Sequence, residues 1–588
     1  MTDVDQHTDA NLAARWARLI AEELRRAGTG HVVLCPGSRN SPLLFALARE
    51  FGEHALSHVD ERSAGFIAIG LIRASFTHSL STGDTGRAVA VCVTSGSALA
   101  NLLPAVCEAD AAELPLIVIS ADRPWEQHDN GAPQSMPQRG ILSAFVRAQL
   151  ALGEPTDSDV ALRALRAQVS RLAQELHGPV HLNVPLREPL PPLPDLTWRP
   201  SADISSEALT GRTPAAFTQR LQATASAPLT REPWMRPGLR GVIVAGCQAG
   251  AQIDVDAVIH LAQTTGFPVL ADGPSNLRRR NLPNLITTFD AVLSELWASD
   301  QLDVVIQIGA APLTRKAYEW LERSTCPWLV IGTARNRDTL SRATHAIEGS
   351  GASELRQLAT WLTPGDSAWT TRWVNAEAQA REVVQTRTVA LGWSESLATR
   401  LCVNHPGFAF IHLASSMAVR HANLHLLPSA TPIYANRGVN GIDGTLGTFI
   451  GLAAAHAATP GLVLLGDLAF IHDLPALAAI GLAAGGAIVV LNNGGGGIFD
   501  HLPVATVPDY QRWVRTSHTR TFAGAAELFG LVYHACRSAA ELTEALRAAT
   551  VSGPVHLIEC MLQDGDAVAQ HRSLIAACAS LDGNAERR

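Results

Sequence analysis

Residues 461–500 read GLVLLGDLAFIHDLPALAAIGLAAGGAIVVLNNGGGGIFD, and this stretch decides the fold class. Residues 462–465 and 488–491 are short, branched, uninterrupted apolar runs, as expected of parallel strands buried on both faces. Leu474, Leu477, Ala478 and Leu482 recur between them at helical spacing, so the unit reads as strand, helix, strand. A right-handed crossover puts Gly466 and Asp467 on the same sheet edge as Asn492, Asn493 and the glycines behind them, outside the carboxyl ends of the strands. A carboxylate oxygen, an amide oxygen and glycine-exposed carbonyls make part of a hard-oxygen octahedron, which suits Mg²⁺ with phosphate oxygens completing the shell. Four consecutive glycines cost chain entropy unless backbone must approach a ligand.

Outward from this stretch the same alternation continues. The N-terminal block predicts a helix over 11–27, a strand over 31–35, a helix from Ser41, and strands over 89–93 and 116–120. It closes on Gly178-Pro179-Val180-His181-Leu182, and the C-terminal block closes on Gly553-Pro554-Val555-His556-Leu557. Two copies of one α/β domain, each ending on a similar strand, would leave such an echo. The expected organisation is a first domain over 1–188, a Pro-rich semi-rigid linker over 189–237, a middle α/β domain over 238–365 and a last domain over 390–588. The middle domain carries strand patterns at 242–245, 269–271, 304–308 and 329–331. Its Gly246-to-Gly250 turn lacks G-x-G-x-x-G spacing, so it reads as a domain without a dinucleotide of its own. The polar tail after Asp582 reads as disordered. The fold class is therefore α/β, with three doubly wound parallel-sheet domains.

Composition narrows the class further. A chain of 588 residues that is 47% hydrophobic and 17% charged is globular, and a net charge of −8 argues against nucleic acid or an acidic membrane as partner. The most apolar windows carry His, Pro and Gly, unlike a bilayer span. No signal-peptide pattern opens the chain. Nine cysteines without a C-x-x-C read as buried thiols of a reducing compartment, so the expected location is cytoplasmic.

The N-terminal block holds two stretches with chemical meaning. Pro36-Gly37-Ser38-Arg39-Asn40 follows a strand and runs into Ser41-Pro42, good first-turn residues for a helix. Free backbone N–H groups, the helix dipole and Arg39 converge there on an anion, or the stretch is an ordinary turn with a surface arginine. Val59-Asp60-Glu61-Arg62 opens a helix rich in small residues, Ala64, Gly65 and Ala68, which suits close packing and partial burial of a carboxyl. Burial favours the protonated form and equips Glu61 to exchange a proton with a heterocycle; the plainer reading is a dipole-compatible surface acid.

The Gly466-Asp467 and Asn492-Asn493 pair resembles the signature of thiamine-diphosphate enzymes, with Leu468 where many members carry another glycine. PGSRNSPL (36–43), VDERSAGF (59–66), VTSGSALANLLPAV (93–106), SADRP (120–124) and NRGVNGIDGTLG (436–447) are similar to the menaquinone-pathway (vitamin K2) carboligases of that family. The resemblance implies the thiamine-diphosphate-binding fold, with pyrimidine-binding, middle and diphosphate-binding domains. It also implies a homodimer or dimer of dimers whose active sites lie at the subunit interface, and thiamine diphosphate with Mg²⁺ or Mn²⁺ as cofactors.

By the same resemblance, Glu61 contacts the aminopyrimidine. Asp467, Asn493 and the Gly495 carbonyl hold the metal. Thr94, Ser95, Gly96, Ser416, Gly466, Asn492 and Ile498 line the cofactor, and Ile442 wedges beneath it. The implied reaction is decarboxylation of 2-oxoglutarate and conjugate addition of the succinyl carbanion equivalent to isochorismate. Both substrates are dicarboxylates and call for planar cationic forks. Ser416 and Arg420 are implied to hold the oxoglutarate-derived carboxylate. Ser38, Arg39, Arg123, Gln134, Arg315, Lys316 and Arg437 are implied on the isochorismate side, with Arg315-Lys316 in reverse of the family order. Two other readings stand beside this one. One is a related acetolactate-synthase-like carboligase or decarboxylase acting on another 2-oxo acid. The other is a catalytically silent cofactor-binding regulator, against which the presence of Glu61 and the whole metal set argues.

Overall fold

The structure, a computed structural model, describes residues 9–82, 88–175, 177–193, 197–220, 229–247, 253–280, 282–293, 301–332, 337–456, 459–562 and 567–579. Three six-stranded sheets organise them, and every strand pairing within the sheets is parallel. The first contains β1 (His31–Leu34), β2 (Ala55–Ser57), β3 (Val89–Val93), β4 (Leu116–Asp122), β5 (Ala148–Ala151) and β6 (Val180–Pro185). The second contains β7 (Gly241–Ala245), β8 (Val269–Ala271), β9 (Leu285–Ile286), β10 (Val304–Ile308), β11 (Trp328–Ile331) and β12 (His345–Ile347). The third contains β13 (Ile411–Leu413), β14 (Ile433–Ala435), β15 (Gly461–Gly466), β16 (Gly486–Asn492), β17 (Val532–Cys536) and β18 (Val555–Met561). The central strands are buried along almost their whole length, which is why they read as continuous apolar runs. Helices used below are, in chain order, α1 (Ser41–Phe51), α2 (Glu61–Thr82), α3 (Leu103–Ala111), α4 (Arg315–Glu322), α5 (Glu395–Val403), α6 (Met417–His425), α7 (Thr445–Ala455) and α8 (Asp467–His472).

The first and third sheets share one strand order. The first runs β2-β1-β3-β4-β6-β5 and the third β14-β13-β15-β16-β18-β17, which is second, first, third, fourth, sixth, fifth in both. The echoed Gly-Pro-Val-His-Leu strings enter β6 and β18, the sixth strand of each, so the repeated words mark the same place in a repeated topology. The second sheet runs β12-β11-β10-β7-β8-β9, the doubly wound order with its switch point between β7 and β10. There Ala310 N–H donates to the Cys247 carbonyl (3.2 Å), tying together the two loops that follow those strands. The Gly246-to-Gly250 turn extends beyond the described residues, as does the polar tail after Asp582.

The chain divides into two compact units. One comprises 1–225 with 438–455 and 475–482; the other comprises 226–437, 456–474 and 483–588. In the first unit α2 packs on α7, a helix contributed by the C-terminal third of the sequence. The small residues of α2 explain the approach: a Cβ on Gly70 would lie 2.2 Å from the Thr448 carbonyl oxygen, and one on Gly451 would lie 2.0 Å from that of Ile67. In the second unit the buried Arg278 donates to the carbonyls of Ala271 (2.8 Å), Thr287 (3.1 Å), Asn423 (2.7 Å) and Leu426 (3.1 Å), joining the second sheet to α6. Among the described residues no helix is long and apolar enough to cross a membrane, and all nine cysteines are free thiols.

One local expectation is corrected. The crossover between β15 and β16 is not one helix: α8 ends at His472, and Leu474–Leu482 is a 3-10 segment. Pro475 supplies no N–H for a continuing α-helix and its ring crowds the preceding turn.

Candidate functional site

The carboxyl edge of the first sheet gathers the N-terminal candidates. Ser38 and Arg39 follow β1, Thr94, Ser95 and Gly96 follow β3, Arg123 follows β4, and Glu61 opens α2 beyond β2; these four strands are consecutive in the sheet. Ser38 is exposed, whereas Arg39 is buried and donates to the Leu186 carbonyl (2.9 Å), with Glu188 3.6 Å away. Burial, then the neighbouring Arg123, holds its pKa below the usual arginine value. The Nε atoms of Arg39 and Arg123, and the hydroxyls of Thr94 and Ser95, are buried without hydrogen-bond partners. Two adjacent guanidinium groups with unmet donors at a sheet edge are suited to an anion. Gln134, at φ +59°, donates to the Ser95 carbonyl (3.0 Å), which brings the 134 loop onto the Thr94–Gly96 turn. Glu61 is half-buried and accepts from Asn101 Nδ2 (3.2 Å).

Ile442 lies in the same unit, on the loop before α7, and is 37% exposed, unusual for an isoleucine in a chain with so large a core. The base of that loop is held by a residue the sequence reading missed. The buried carboxylate of Glu108 on α3 accepts from the backbone N–H of Gly438 (3.0 Å) and Val439 (2.8 Å) and from Arg73 (3.0 Å). No local pattern marks Glu108, because the loop N–H groups it holds stand more than three hundred positions away.

The carboxyl edge of the third sheet gathers the rest. Ser416 follows β13, Arg437 follows β14, Gly466 ends β15 and Asp467 follows it, and Asn492 ends β16 with Asn493 and Gly495 just beyond; these strands too are consecutive. Asp467 is buried; its Oδ1 accepts from Leu468 N–H (2.6 Å), its Oδ2 from Gly495 N–H (2.9 Å), and His518 Nε2 stands 3.4 Å off. Burial pushes this carboxyl up, partly offset by those backbone N–H groups. Asn493 donates through Nδ2 to Glu395 (2.6 Å), while its Oδ1 is buried with no partner. Gly495 has φ +145°, and a Cβ there would lie 2.8 Å from the Arg515 carbonyl. Among the described residues no three His, Cys, Asp or Glu side chains gather as a metal cluster. A cation here draws on amide and carbonyl oxygens as well as Asp467, and the orphaned Asn493 Oδ1 fits a hard divalent ion.

The remaining candidates divide. Ser416, at φ +73°, opens α6, and its carbonyl accepts from Arg420 (2.8 Å). Burial, then Arg437, holds Arg420 below the usual arginine value, and Arg437 reaches the Ser415 hydroxyl (3.4 Å), so these two guanidinium groups share one locality. Ile498 is half-buried in the turn beyond the glycines. Asn492 serves the fold: its Nδ2 donates to Glu559 (2.5 Å) and the Arg520 carbonyl (2.9 Å), and its Oδ1 accepts from Gly494 N–H (3.2 Å). Arg315 and Lys316 point apart. Arg315 is 90% exposed and paired with Glu319 (2.6 Å), whereas Lys316 Nζ donates to the Asp290 carbonyl (2.9 Å).

Two family models match this chain: one described as the N-terminal TPP binding domain of thiamine pyrophosphate enzymes, over residues 14–141, and one as their middle domain, over 212–409. They agree with the three-sheet architecture and define the class, an α/β enzyme that uses thiamine diphosphate. Full-length relatives narrow it. A 2-succinyl-5-enolpyruvyl-6-hydroxy-3-cyclohexene-1-carboxylate synthase of Myxococcus xanthus is 34% identical over 97% of this chain and 98% of its own. Synthases of the same name from Roseiflexus castenholzii (35% identical, 96% of this chain, 98% of the relative) and Geobacillus thermodenitrificans (33%, 96% and 96%) match equally broadly. The chain belongs to this synthase family.

Proposed function

We propose that this protein joins the succinyl unit of 2-oxoglutarate to isochorismate with release of CO₂, giving 2-succinyl-5-enolpyruvyl-6-hydroxy-3-cyclohexene-1-carboxylate for menaquinone synthesis. The observation that carries the reading is the paired architecture: two sheets of one strand order, one presenting Glu61 at its carboxyl edge and the other Asp467 and Asn493. Membership of the synthase family supplies the substrates.

Asp467, Asn493 Oδ1 and the Gly495 carbonyl would hold Mg²⁺, and through it the diphosphate. Thiamine diphosphate, when bound, supplies an electron sink that makes decarboxylation of a 2-oxo acid accessible. Glu61 holds and moves the proton at its carboxyl that sets the protonation of the aminopyrimidine. Ile442 presents an apolar side chain to the cofactor, on a loop fixed by Glu108. Arg420 and Ser416 orient one 2-oxoglutarate carboxylate; Arg39 and Arg123, with unmet donors, orient an isochorismate carboxylate and exclude water from it. In keeping with the family resemblance, we read the working enzyme as a homodimer with its active sites at the subunit interface.

The test supplies purified protein, Mg²⁺ and thiamine diphosphate with 2-oxoglutarate and isochorismate, follows isochorismate loss and weighs the adduct. An adduct of the expected mass, formed with 2-oxoglutarate and not with pyruvate, supports the reading. Turnover with pyruvate alone would overturn it.

A further inference from the structure

An asparagine that serves a cation has to present its oxygen, yet its two ends have the same shape and only their partners decide which one faces the ion. Asn493 is such a case. Its Nδ2 donates to Glu395 Oε1 at 2.6 Å, and its Oδ1 is left buried and unpaired. An ionised carboxylate accepts and cannot donate, so it binds the NH₂ end and rejects the oxygen end.

The carboxylate is itself firmly held. Glu395 is 5% exposed and is the first residue of α5, whose preceding Ser394 caps the helix by accepting from Leu397 N–H (3.2 Å). Its other oxygen, Oε2, lies 3.3 Å from Nε2 of His421, which is also buried. His421 sits on α6 directly after Arg420, on the helix opened by Ser416. One side chain therefore touches both the β16 turn and the helix that carries the oxoglutarate-side candidates.

We propose that Glu395 is a positioning residue for the metal site: it orients the Asn493 amide so that Oδ1 faces the cation, and it ties that ligand to α6. The inference rests on the assignment of Asn493 as a metal ligand made above. Partners that orient a metal ligand typically account for about 10- to 100-fold in metal affinity.

The probe is Mn²⁺, titrated by electron paramagnetic resonance into full-length protein saturated with thiamine diphosphate, with thermal melts confirming that each variant is folded. Glu395→Leu keeps the volume and removes the acceptor; it is expected to weaken Mn²⁺ binding about 10- to 100-fold. Glu395→Gln keeps an acceptor oxygen for the Asn493 amide and should stay within about fivefold of the parent, well short of that loss. In an Asn493→Ala background, Glu395→Leu should add nothing. Parent-like affinity in Glu395→Leu overturns the proposal, as does an equal loss in Glu395→Gln, which would show that charge alone matters. A full additional loss on top of Asn493→Ala overturns it too, because the carboxylate would then act other than through this amide. If Asn493→Ala alone leaves Mn²⁺ binding intact, it is the ligand assignment that fails, and the inference falls with it.

Discussion

Glu61 and Asp467 are each the first residue of a helix at the carboxyl edge of a sheet, and the two sheets share one strand order, yet the chain treats them differently. Asp467 is buried under two backbone N–H groups and an imidazole; Glu61 is half-buried with an amide 3.2 Å away. A helix N-terminus favours a carboxylate in both places. The surrounding donors set the difference. Several donors fix the Asp467 oxygens in place, as a metal ligand requires, whereas Glu61 is held by one amide at 3.2 Å. On the reading proposed above, one strand order serves two roles through the donors that distant parts of the chain place over each acid.

The comparison can be broken by making the same change in both acids. Glu61→Gln is expected to retain thiamine diphosphate within about threefold and to lose about 10²- to 10⁴-fold in turnover, read from steady-state kinetics beside a cofactor titration. Asp467→Asn should act the other way round, weakening Mg²⁺-dependent cofactor binding by about tenfold or more, or about 1.4 kcal/mol, as read from intrinsic tryptophan fluorescence. If both variants lost affinity and turnover alike, the division of labour would be wrong.

A third acid sharpens the contrast. Asp272 is fully buried, and its Oδ2 accepts from Leu313 N–H (2.8 Å), but its Oδ1 has no hydrogen-bond partner. Burial, then the neighbouring Asp290, pushes its pKa up to about 7. The folded protein keeps this proton where the unfolded chain has lost it. Stability attributable to Asp272 is therefore highest below about pH 4 and falls as pH rises to about 7, by up to about 4 kcal/mol. Asp272→Asn should remove that slope, so its melting temperature should exceed the parent's at pH 8 and approach it at pH 5.

The seat of α2 offers a smaller effect. Gly451→Val drives a side chain into the Ile67 carbonyl and should cost about 1–3 kcal/mol, seen as a lower melting temperature, although it alters no candidate cofactor or substrate group. The smallest change is expected at Arg315, whose exposed ion pair with Glu319 should contribute under about 1 kcal/mol. Arg315→Ala should leave the isochorismate KM within about twofold, whereas Arg123→Ala should raise it clearly.

Much of the scaffold was legible because its signals are local. Buried parallel strands announce themselves as apolar runs, and β15 and β16 fall where residues 462–465 and 488–491 predict them, one or two residues longer at each end. Pro475 carried a warning that helical spacing alone obscured. The candidate acids and amides were legible as residue types at strand ends, but their partners were not. Asn492 and Asn493 are adjacent and identical in sequence, yet one is consumed by Glu559 while the other keeps an oxygen free. Arg315 and Lys316, equally adjacent, point to solvent and to the Asp290 carbonyl.

The sequence by itself determined the class of fold, the repeat of its first sheet in its last, and the positions where acids, amides and glycines stand at strand ends, since these follow from periodicity and from neighbours along the chain. Tertiary structure alone decided which of those groups are spent on the fold and which are left with an unmet oxygen or N–H. It also decided that α7 joins the first unit and that Glu108 and Glu395 steady the loop and the amide. Burial and hydrogen-bond satisfaction depend on residues hundreds of positions away, and no local pattern encodes them.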